Sequence, residues 1–240
     1  MQNTLLTYFN KRFGREDLHE KKKSDPGPVI TISRQVGCNG VKLATKMADT
    51  LNEHPAFSTW KVLSKEIFYE SARELNMEPE KIRRIFKQDE SYALNDIINA
   101  IGSRRFKSEK KITKTVREII FSFAIDGYCI IVGRAAHIIA CSIKNALHVR
   151  LYAPLEYRIK TIMENNRLNS EEAIEFINKV EKERIAFRNT IGEISMENDL
   201  FDIFINRASF NDEDTINLIR EAATKKGIFK DYLDLPHFYP

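Results

Sequence analysis

The sequence predicts an α/β fold in which helices cover both faces of a parallel sheet, and three observations support it. Five short apolar runs have the continuous, β-branched or aromatic character of strands that are buried on both faces. Helical periodicity, with apolar residues at i, i+3 and i+4, fills the segments between these runs. At 240 residues with 42% hydrophobic content, the chain can bury one good-sized core. Strands and helices that alternate in this way favour a three-layer architecture with right-handed crossovers.

The predicted elements follow one another along the chain. An amphipathic segment and a polar linker occupy residues 1–27. The predicted strands cover residues 29–33, 61–63, 128–132, 147–152 and 201–205. The predicted helices cover residues 42–51, 65–75, 79–86, 93–106, 112–125, 155–165, 170–187 and 212–223. The helical insertion at 65–126 exceeds one crossover, so we expect it to form a wall over the carboxyl edge of the sheet, where open α/β sheets bind ligands. The insertion also contains many lysines and arginines, so an interaction surface is an alternative role for it.

Composition limits the partners and the cellular setting. A net charge of +4 on a chain with 30% charged residues is too small to indicate a nucleic-acid surface, although it suits a small anionic ligand. The cysteines Cys38, Cys129 and Cys141 are odd in number and unrelated in spacing, so we expect neither a disulfide framework nor a zinc site. A reducing, cytoplasmic setting is the resulting default. No signal-peptide pattern and no run of about 18 apolar residues occurs, so we expect no membrane contact.

The stretch 29–43 has the pattern of a strand, a glycine-bounded turn and a helix. Such a turn aims unpaired backbone N–H groups and the positive end of the helix dipole at one point, where an anion can bind. In the phosphate-loop pattern G-x-x-x-x-G-K-[ST], the lysine neutralises the transferring phosphate and the hydroxyl holds Mg²⁺. Gly40 falls at that lysine and Val41 at that hydroxyl. The stretch therefore predicts phosphate binding, with an ordinary strand-to-helix turn as the alternative.

Four arginines stand where they could meet the same ligand. Arg134 directly follows the strand at 128–132 and would face the cleft beside the loop, unless it pairs with a surface carboxylate. Arg117, near the start of a predicted helix, could bind an acceptor phosphate with a bidentate guanidinium, or could be an exposed helical residue. Arg184 and Arg188 lie in a charged stretch that predicts either a mobile lid over phosphates or an exposed helix with internal ion pairs.

Other chemistries lack a motif. The five histidines do not cluster along the chain. The sequence contains neither an H-E-x-x-H motif nor a Ser-His-Asp arrangement. It therefore supports neither metal ligation by protein side chains nor acyl transfer.

An ordered set of motifs gives a resemblance to a known family. The motifs are Val-Ile-Thr-Ile-Ser-Arg-x-x-Gly, Leu-Ser-Lys-Glu-Ile, Ile-Ile-Val-Gly-Arg-Ala-Ala, Leu-x-Ala-Pro-Leu-Glu-Tyr-Arg-Ile and Lys-Glu-Arg. Together they resemble the cytidylate kinase-like family of P-loop proteins over residues 28–226. The resemblance implies the P-loop kinase fold, with a five-stranded parallel sheet, a helical monophosphate-binding region and a lid. It also implies the reaction of bacterial cytidylate kinases, transfer of the γ-phosphoryl group of ATP to CMP or dCMP with Mg²⁺.

The resemblance assigns roles to residues of this sequence. It implies that the ATP phosphates are bound by Ser33, Gly37, Cys38, Asn39, Gly40 and Val41. It implies monophosphate binding by Arg117 and Arg134, and a place near the nucleotide for Gly133 and Arg158. Arg184 and Arg188 correspond to lid arginines, in a lid at about 167–192. The predicted domain covers residues 28–228, followed by a tail at 229–240.

The chain departs from true cytidylate kinases at functional positions. Gly40 and Val41 replace the loop lysine and the magnesium-binding hydroxyl, and Ala135 replaces the aspartate after the arginine that follows the third strand. The predicted catalytic residues are therefore Arg34, Lys42, Lys65, Arg184 and Arg188, the first three as replacements for the lysine. The sequence thus predicts an ATP-dependent kinase acting on CMP or dCMP. The alternatives are a non-catalytic nucleotide-binding module and a kinase with a different small-molecule acceptor. The oligomeric state stays open.

Overall fold

The computed structural model of the protein describes residues 26–53, 59–64, 117, 120, 121, 123–191 and 197–229. The chain divides into two units, one formed by Met1–Asp25 and Ser64–Val116, the other by Pro26–Leu63 and Arg117–Pro240. Apart from Ser64, the described residues belong to the second unit. The predicted helices at 65–75, 79–86 and 93–106 lie outside the described residues, as does the predicted N-terminal amphipathic segment.

Five parallel strands form the sheet of the described part. They are β1 (Val29–Arg34), β2 (Lys61–Leu63), β3 (Cys129–Val132), β4 (Ala146–Tyr152) and β5 (Ile203–Asn206). Their order is β2-β3-β1-β4-β5, so β1 is the central strand. Val29 of β1 pairs with Cys129 of β3 on one side and with Ala146 of β4 on the other. The predicted α/β fold with a five-stranded parallel sheet is therefore confirmed.

Helices connect the strands, as parallel pairing requires. They are α1 (Gly40–Asn52), α2 (Ala136–Ile139), α3 (Leu155–Asn166), α4 (Ser170–Ile191) and α5 (Asp212–Lys225). A 3₁₀ turn at Glu197–Leu200 precedes β5. Residues 117, 120, 121 and 123–126 are also helical, in agreement with the helix predicted at 112–125. The short helix α2 has no counterpart among the predicted elements.

The main core lies between β1 and the helices α1 and α5. Its fully buried members include Ile30, Ile32, Leu43, Met47 and Ile219. Burying a side chain of this size stabilises the fold by about 1.5–3 kcal/mol. Phe229, the first residue of the predicted tail, is also buried in this core, and its ring centre lies 5.8 Å from that of Trp60.

A second cluster fastens the loop after β1 to two later helices. Val36 of the loop is 3% exposed and packs with Ile162 of α3 and with Ala173 and Ile177 of α4. The backbone between β1 and α1 is therefore held by helices that come much later in the chain.

Several element boundaries differ from the predicted ones. The third strand begins at Cys129 because Tyr128 has φ 49°, which is left-handed rather than extended. The fifth strand begins at Ile203, not at residue 201, because Asp202 is held by His148: its N–H donates to the His148 carbonyl and its carboxylate accepts from the His148 N–H, both at 2.8 Å. Helix α1 begins two residues earlier than predicted, and α4 continues to Ile191.

The carboxyl ends of the five strands lie at one edge of the sheet. The chain moves outward to β2 on one side of β1, and later to β4 and β5 on the other side. Ligands of open α/β sheets bind outside the carboxyl edge where the strand order reverses in this way. Within the described ranges, the structure has no helix long and apolar enough to cross a membrane.

Candidate phosphate-binding site

The loop after β1 turns at Gly37. This residue has φ +92°, and a Cβ added to it would lie 2.8 Å from the Cα of Arg158. The position therefore requires glycine both for its backbone conformation and for space. The Gln35 N–H donates to the Leu151 carbonyl at 3.0 Å, and the Cys38 N–H donates to the Gln35 carbonyl at 3.3 Å. These contacts hold the loop between β4 and α3.

Helix α1 begins without a side-chain cap. Its N-cap residue Asn39 has φ 47° and ψ 36°, and its side chain makes no capping hydrogen bond. The Oδ1 of Asn39 instead accepts from the Nδ2 of Asn165, in α3, at 2.8 Å. The first turn of α1 also contains no acidic residue. Since the first N–H groups of a helix have no intrahelical acceptor and the helix dipole is positive there, this helix start favours an anion.

Arg34, the last residue of β1, extends its side chain across the base of the loop. Its aliphatic stem lies over Gly40, where a Cβ would be 3.1 Å from the Arg34 Cγ and 3.3 Å from its Cδ. Its guanidinium lies over Gly133, the residue after β3, where a Cβ would collide with the Arg34 Nη1. The guanidinium therefore lies at the carboxyl edge, between the start of α1 and the end of β3.

A carboxylate occupies one backbone N–H group of the loop. The Oε1 of Glu181, in α4, accepts from the Val36 N–H at 2.7 Å, a length typical of a hydrogen bond to a charged oxygen. The same oxygen lies 3.9 Å from the Nη1 of Arg158. The side chains of Glu181 and Arg158 are 27% and 13% exposed, so solvent only partly screens this contact. The loop thus already binds an anionic oxygen, and the protein itself supplies it.

Two further contacts join α4 to this edge. The Nη1 of Arg184 donates to the backbone carbonyl of Arg34 at 2.9 Å. The guanidinium carbon of Arg134 lies 5.0 Å from the centre of the Phe187 ring, within the range of a cation–π interaction. The described part of the segment predicted to be a lid therefore contacts, through α4, the edge of the sheet at which the ligand is predicted to bind.

Further positive charge surrounds the loop. Arg150 of β4 donates from its Nη1 to the Ser33 hydroxyl at 2.6 Å, and Arg207, directly after β5, is 4% exposed. Burial raises the pKa of the Cys38 thiol to about 11, although the charges of Arg158, Arg207 and Arg150 oppose that rise. The thiol is therefore protonated at neutral pH, although three arginine charges and the opposing charge of Glu181 act on it.

The start of helix α5 is closed by groups of the protein itself. Its N-cap residue Asn211 is extended, and its side chain accepts from the Asp214 N–H at 2.9 Å. The first turn contains three acidic residues, Asp212, Glu213 and Asp214. Both features satisfy the positive end of the helix from within, so this helix start differs from that of α1.

Arg207 fastens the start of α5 to the sheet. Its guanidinium donates to the backbone carbonyls of Phe210 and Asn211, to the Thr215 hydroxyl and to the Asp212 carboxylate. Asp212 also binds Lys46 of α1 at 2.6 Å. Burial raises the pKa of Asp212, but the hydrogen bond and charge of Lys46 and the charge of Arg207 outweigh it and hold the pKa below its ordinary value of 3.8.

The predicted phosphate-binding residues form the end of β1, the loop and the start of α1. They are Ser33, Gly37, Cys38, Asn39, Gly40 and Val41. The Cys38 side chain is buried in the main core and its N–H is already donated within the turn. The Val41 side chain packs against the same core, so a ligand would meet Val41 through its backbone.

The other predicted residues are more scattered. Arg34, Gly133, Arg134, Arg158 and Arg184 contact the loop or neighbouring residues at the same edge, as described above. Lys42 is exposed on the first turn of α1, and Arg188 is half-buried on α4. Arg117 is helical and exposed, so its contact with an acceptor stays a prediction. Lys65 lies outside the described residues.

The donor set at the loop fits phosphate better than a metal ion. In the part of the chain that the structure describes, no group of three or more His, Cys, Asp or Glu side chains could hold a metal. Val41 offers no hydroxyl at the position where the loop pattern holds Mg²⁺. Mg²⁺ therefore stays an expectation from the family, without an assigned protein ligand.

Sequence reasoning missed Glu181 and Arg150 as residues of this edge. Glu181 stands among many charged residues of α4, and its partner Val36 is 145 positions away, so no local pattern marks it. Arg150 carried a signal that could have been used, since an arginine within an otherwise apolar strand must find a partner at the sheet. It pairs in register with Ser33.

Comparisons with known proteins agree with this fold. The model of the cytidylate kinase-like family matches residues 29–209. An uncharacterized protein from Eubacterium ventriosum ATCC 27560 has a similar structure, with 20% identity and a TM-score of 0.53 over 82% of this chain and 98% of that chain. The search of curated proteins finds no match.

Two shikimate kinases give weaker structural matches. The enzyme from Acinetobacter baumannii, solved with shikimate, is 15% identical, with a TM-score of 0.44 over 86% of this chain and 96% of that chain. The enzyme from Bacteroides thetaiotaomicron is 12% identical, with a TM-score of 0.41 over 85% of this chain and 98% of that chain. At these TM-scores, neither match supports a conclusion about this chain.

Proposed function

The chain belongs to the cytidylate kinase-like family, and we propose that it binds ATP at the loop after β1 and transfers the γ-phosphoryl group to CMP or dCMP. One observation carries the proposal: the Val36 N–H binds the Glu181 carboxylate at 2.7 Å, beside a helix start that lacks a side-chain cap. A loop that binds a carboxylate oxygen has a donor in place for a phosphate oxygen.

The proposed reaction is an in-line displacement. An oxygen of the acceptor phosphate attacks the γ-phosphorus, and the bond from that phosphorus to the β–γ bridging oxygen breaks, so ADP leaves with the electron pair. Backbone N–H groups between Gly37 and Gly40 bind the donor phosphates, and the Val36 N–H joins them when the Glu181 carboxylate moves away. The replacement for the missing lysine is Arg34, Lys42 or Lys65. Arg117 and Arg134 bind the acceptor, with Arg184 and Arg188 closing over the phosphates.

The chemistry asked of these residues is positioning and charge neutralisation. Mg²⁺ is expected to arrive with ATP and to neutralise charge on its phosphates, and no step above depends on a protein ligand for it. A cytoplasmic location belongs to the same proposal. So does the absence of nucleic acid and membrane from the partners.

A non-catalytic nucleotide-binding module is the second candidate. It is favoured by Gly40 and Val41, which stand where the loop pattern has its lysine and hydroxyl. Removing one preorganised charge-stabilising group commonly costs about 10²–10³ in rate, so two uncompensated losses would leave little turnover. A kinase with another small-molecule acceptor is the remaining alternative, because Ser64-Lys65-Glu66 stands where true cytidylate kinases have Asp-Thr-Gly at the start of the monophosphate region.

An end-point phosphorus NMR assay tests the proposal. Purified protein receives Mg²⁺ and ATP with CMP, dCMP, UMP or AMP in separate samples, and Arg134→Ala is assayed beside the wild type. We expect new diphosphate with CMP or dCMP, and its loss in the variant. ATP binding by calorimetry without transfer to any acceptor would instead favour the non-catalytic module.

A further inference from the structure

Two residues of the loop have exchanged types relative to the phosphate-loop pattern. When Gly40 is laid on the lysine of G-x-x-x-x-G-K-[ST], Arg34 falls on the first glycine. The chain thus has a cation where the pattern has glycine, and a glycine where the pattern has a cation. Building on the proposed function, we infer that Arg34 supplies the phosphate-facing charge and that Gly40 lacks a side chain to give Arg34 room.

The steric half of the inference comes from the contact between the two residues. The atoms nearest to a Cβ on Gly40 are the Cγ, Cδ and Cβ of Arg34, at 3.1, 3.3 and 3.5 Å. Gly40 is buried and has an ordinary helical conformation, so its backbone does not call for glycine. The arginine stem therefore explains the glycine. A lysine at position 40 would place its Cβ 3.1 Å from the Arg34 Cγ, so the stem would have to shift by a few tenths of an ångström.

The electrostatic half comes from where the guanidinium lies. Arg34 crosses from the end of β1 to Gly133, passing the start of α1 on the way. Gly133 has φ +77°, which favours glycine by itself, and the missing Cβ also leaves room for the Arg34 Nη1. The Arg184 guanidinium donates to the Arg34 carbonyl at 2.9 Å and so fixes its backbone. Gly40 and Gly133 thus leave room for the Arg34 side chain beside the loop, and Arg184 fixes its backbone.

The other two candidate cations have weaker support. Lys42 is exposed on the outer surface of the first turn of α1, with no described contact that directs it to the loop. Lys65 lies outside the described residues. A guanidinium also remains charged at any physiological pH and can bind phosphate oxygens in pairs, which a lysine cannot.

Four variants separate charge from space. Arg34→Met keeps the stem and removes the charge, and Arg34→Gly removes both. Gly40→Lys restores the lysine of the pattern while Arg34 is still present. The double variant Arg34→Gly, Gly40→Lys restores both residues of the pattern. Lys144→Met is the matched control, because it removes one exposed positive charge just before β4, at the opposite edge of the sheet.

The readouts are the Kd for ATP with Mg²⁺ by calorimetry and the free energy of unfolding in urea. We expect Arg34→Met to weaken ATP binding at least tenfold and to unfold as cooperatively as the wild type. The Kd of Lys144→Met for ATP should lie within twofold of the wild-type value. We expect Gly40→Lys alone to weaken binding or folding. The double variant should bind ATP about tenfold more tightly than Arg34→Gly.

The outcomes distinguish this inference from the proposed function. If the wild type binds ATP and Arg34→Met binds it within threefold as well, Arg34 is not the phosphate cation. If Gly40→Lys binds ATP more tightly than the wild type without loss of stability, the two side chains do not compete for space. A double variant that folds but shows no recovery also overturns the exchange. If the wild-type protein binds no ATP, the proposed function is wrong, and the inference that rests on it is wrong as well.

Discussion

Helices α1 and α5 both begin directly after an asparagine, yet their first turns differ in almost every respect. Asn211 is extended and caps α5 through its side chain, whereas Asn39 is left-handed and gives its side chain to Asn165. The first turn of α5 holds three acidic residues, and that of α1 holds none. An asparagine at the N-cap therefore does not by itself indicate a capping hydrogen bond; its backbone conformation must also be known.

The difference shows which helix start is structural and which is suited to a ligand. At α5, Arg207 and the acidic turn satisfy the local charges within the protein. At α1, the loop before the helix gives one N–H to a carboxylate of α4, and the Arg34 side chain lies over Gly40 in the first turn. A closed helix start stabilises the fold, whereas an open one leaves free energy to be gained by binding.

The largest expected effect is at the closed start. Arg207→Met should lower the free energy of unfolding by about 1.5–3 kcal/mol, because it removes a buried guanidinium that donates to four acceptors, while Asp212 keeps its ion pair with Lys46. Urea unfolding followed by circular dichroism measures this. Lys225→Met, which removes an ion pair whose lysine is 79% exposed, should change stability by less than about 0.5 kcal/mol. Equal losses in the two variants would contradict a special role for Arg207.

The next effect is at the open start. Lys42→Glu places an acidic residue in the first turn of α1, as in α5. We expect it to weaken ATP binding about tenfold, because a carboxylate there satisfies the helix dipole in place of the ligand. The free energy of unfolding should change by less than about 1 kcal/mol, because the gain at the dipole is offset by the loss of the attraction between Lys42 and Asp212. Calorimetry and urea unfolding on the same sample measure both quantities. Lys42→Gln should weaken binding by less; an equal loss would mean that Lys42 itself contacts the nucleotide.

A smaller effect on stability is expected when the two N-cap asparagines are replaced. Asn211→Ala should cost about 1 kcal/mol of unfolding free energy, the usual value of a lost N-cap. Asn39→Gly should change stability by less than about 0.5 kcal/mol, because glycine adopts a left-handed backbone without strain, no capping bond is lost and the lost bond from Asn165 is exposed to solvent. Thermal and urea unfolding of both variants test this difference. An equal loss of unfolding free energy in Asn39→Gly and Asn211→Ala would contradict it.

The smallest expected effect is a pH dependence of the closed start. The folded-state pKa of Asp212 lies below the ordinary value of 3.8, so unfolded chains bind this proton first as the pH falls. Its contribution is therefore complete well above pH 3.8 and is lost as the pH falls through that value and then through the lower folded-state pKa. We expect the stability difference between the wild type and Asp212→Asn to shrink between pH 5.5 and 3. A constant difference would show that the carboxylate gains nothing from Lys46 and Arg207.

Much of the fold could be predicted from local patterns. The apolar runs placed all five strands to within about two residues, and the glycines around residue 37 placed the loop. These features depend on neighbours along the chain, which a sequence displays directly. The short helix α2 and the left-handed Tyr128 escaped because each depends on the backbone geometry of a turn.

The candidate site was predictable only in part. Arg34 was among the candidates, but its path over Gly40 and Gly133 depends on the pairing of β1 with β3 across the long insertion. Glu181 was visible merely as one charge among many in α4, because its role arises when α4 packs on the loop. Contacts between residues distant in sequence carry no local periodicity, so their geometry needed the structure.

The hydrogen bond from Val36 to Glu181 also bears on what any measured affinity means. A phosphate oxygen and the Glu181 carboxylate cannot occupy the same N–H group at once. The observed affinity is then the intrinsic affinity of the loop multiplied by the fraction of molecules in which the carboxylate has moved away. If that fraction were about one in ten, nucleotide binding would look about tenfold weaker than the loop allows. Under the proposed function, the Glu181 carboxylate therefore competes with ATP for the Val36 N–H, at an effective concentration set by the packing of α4.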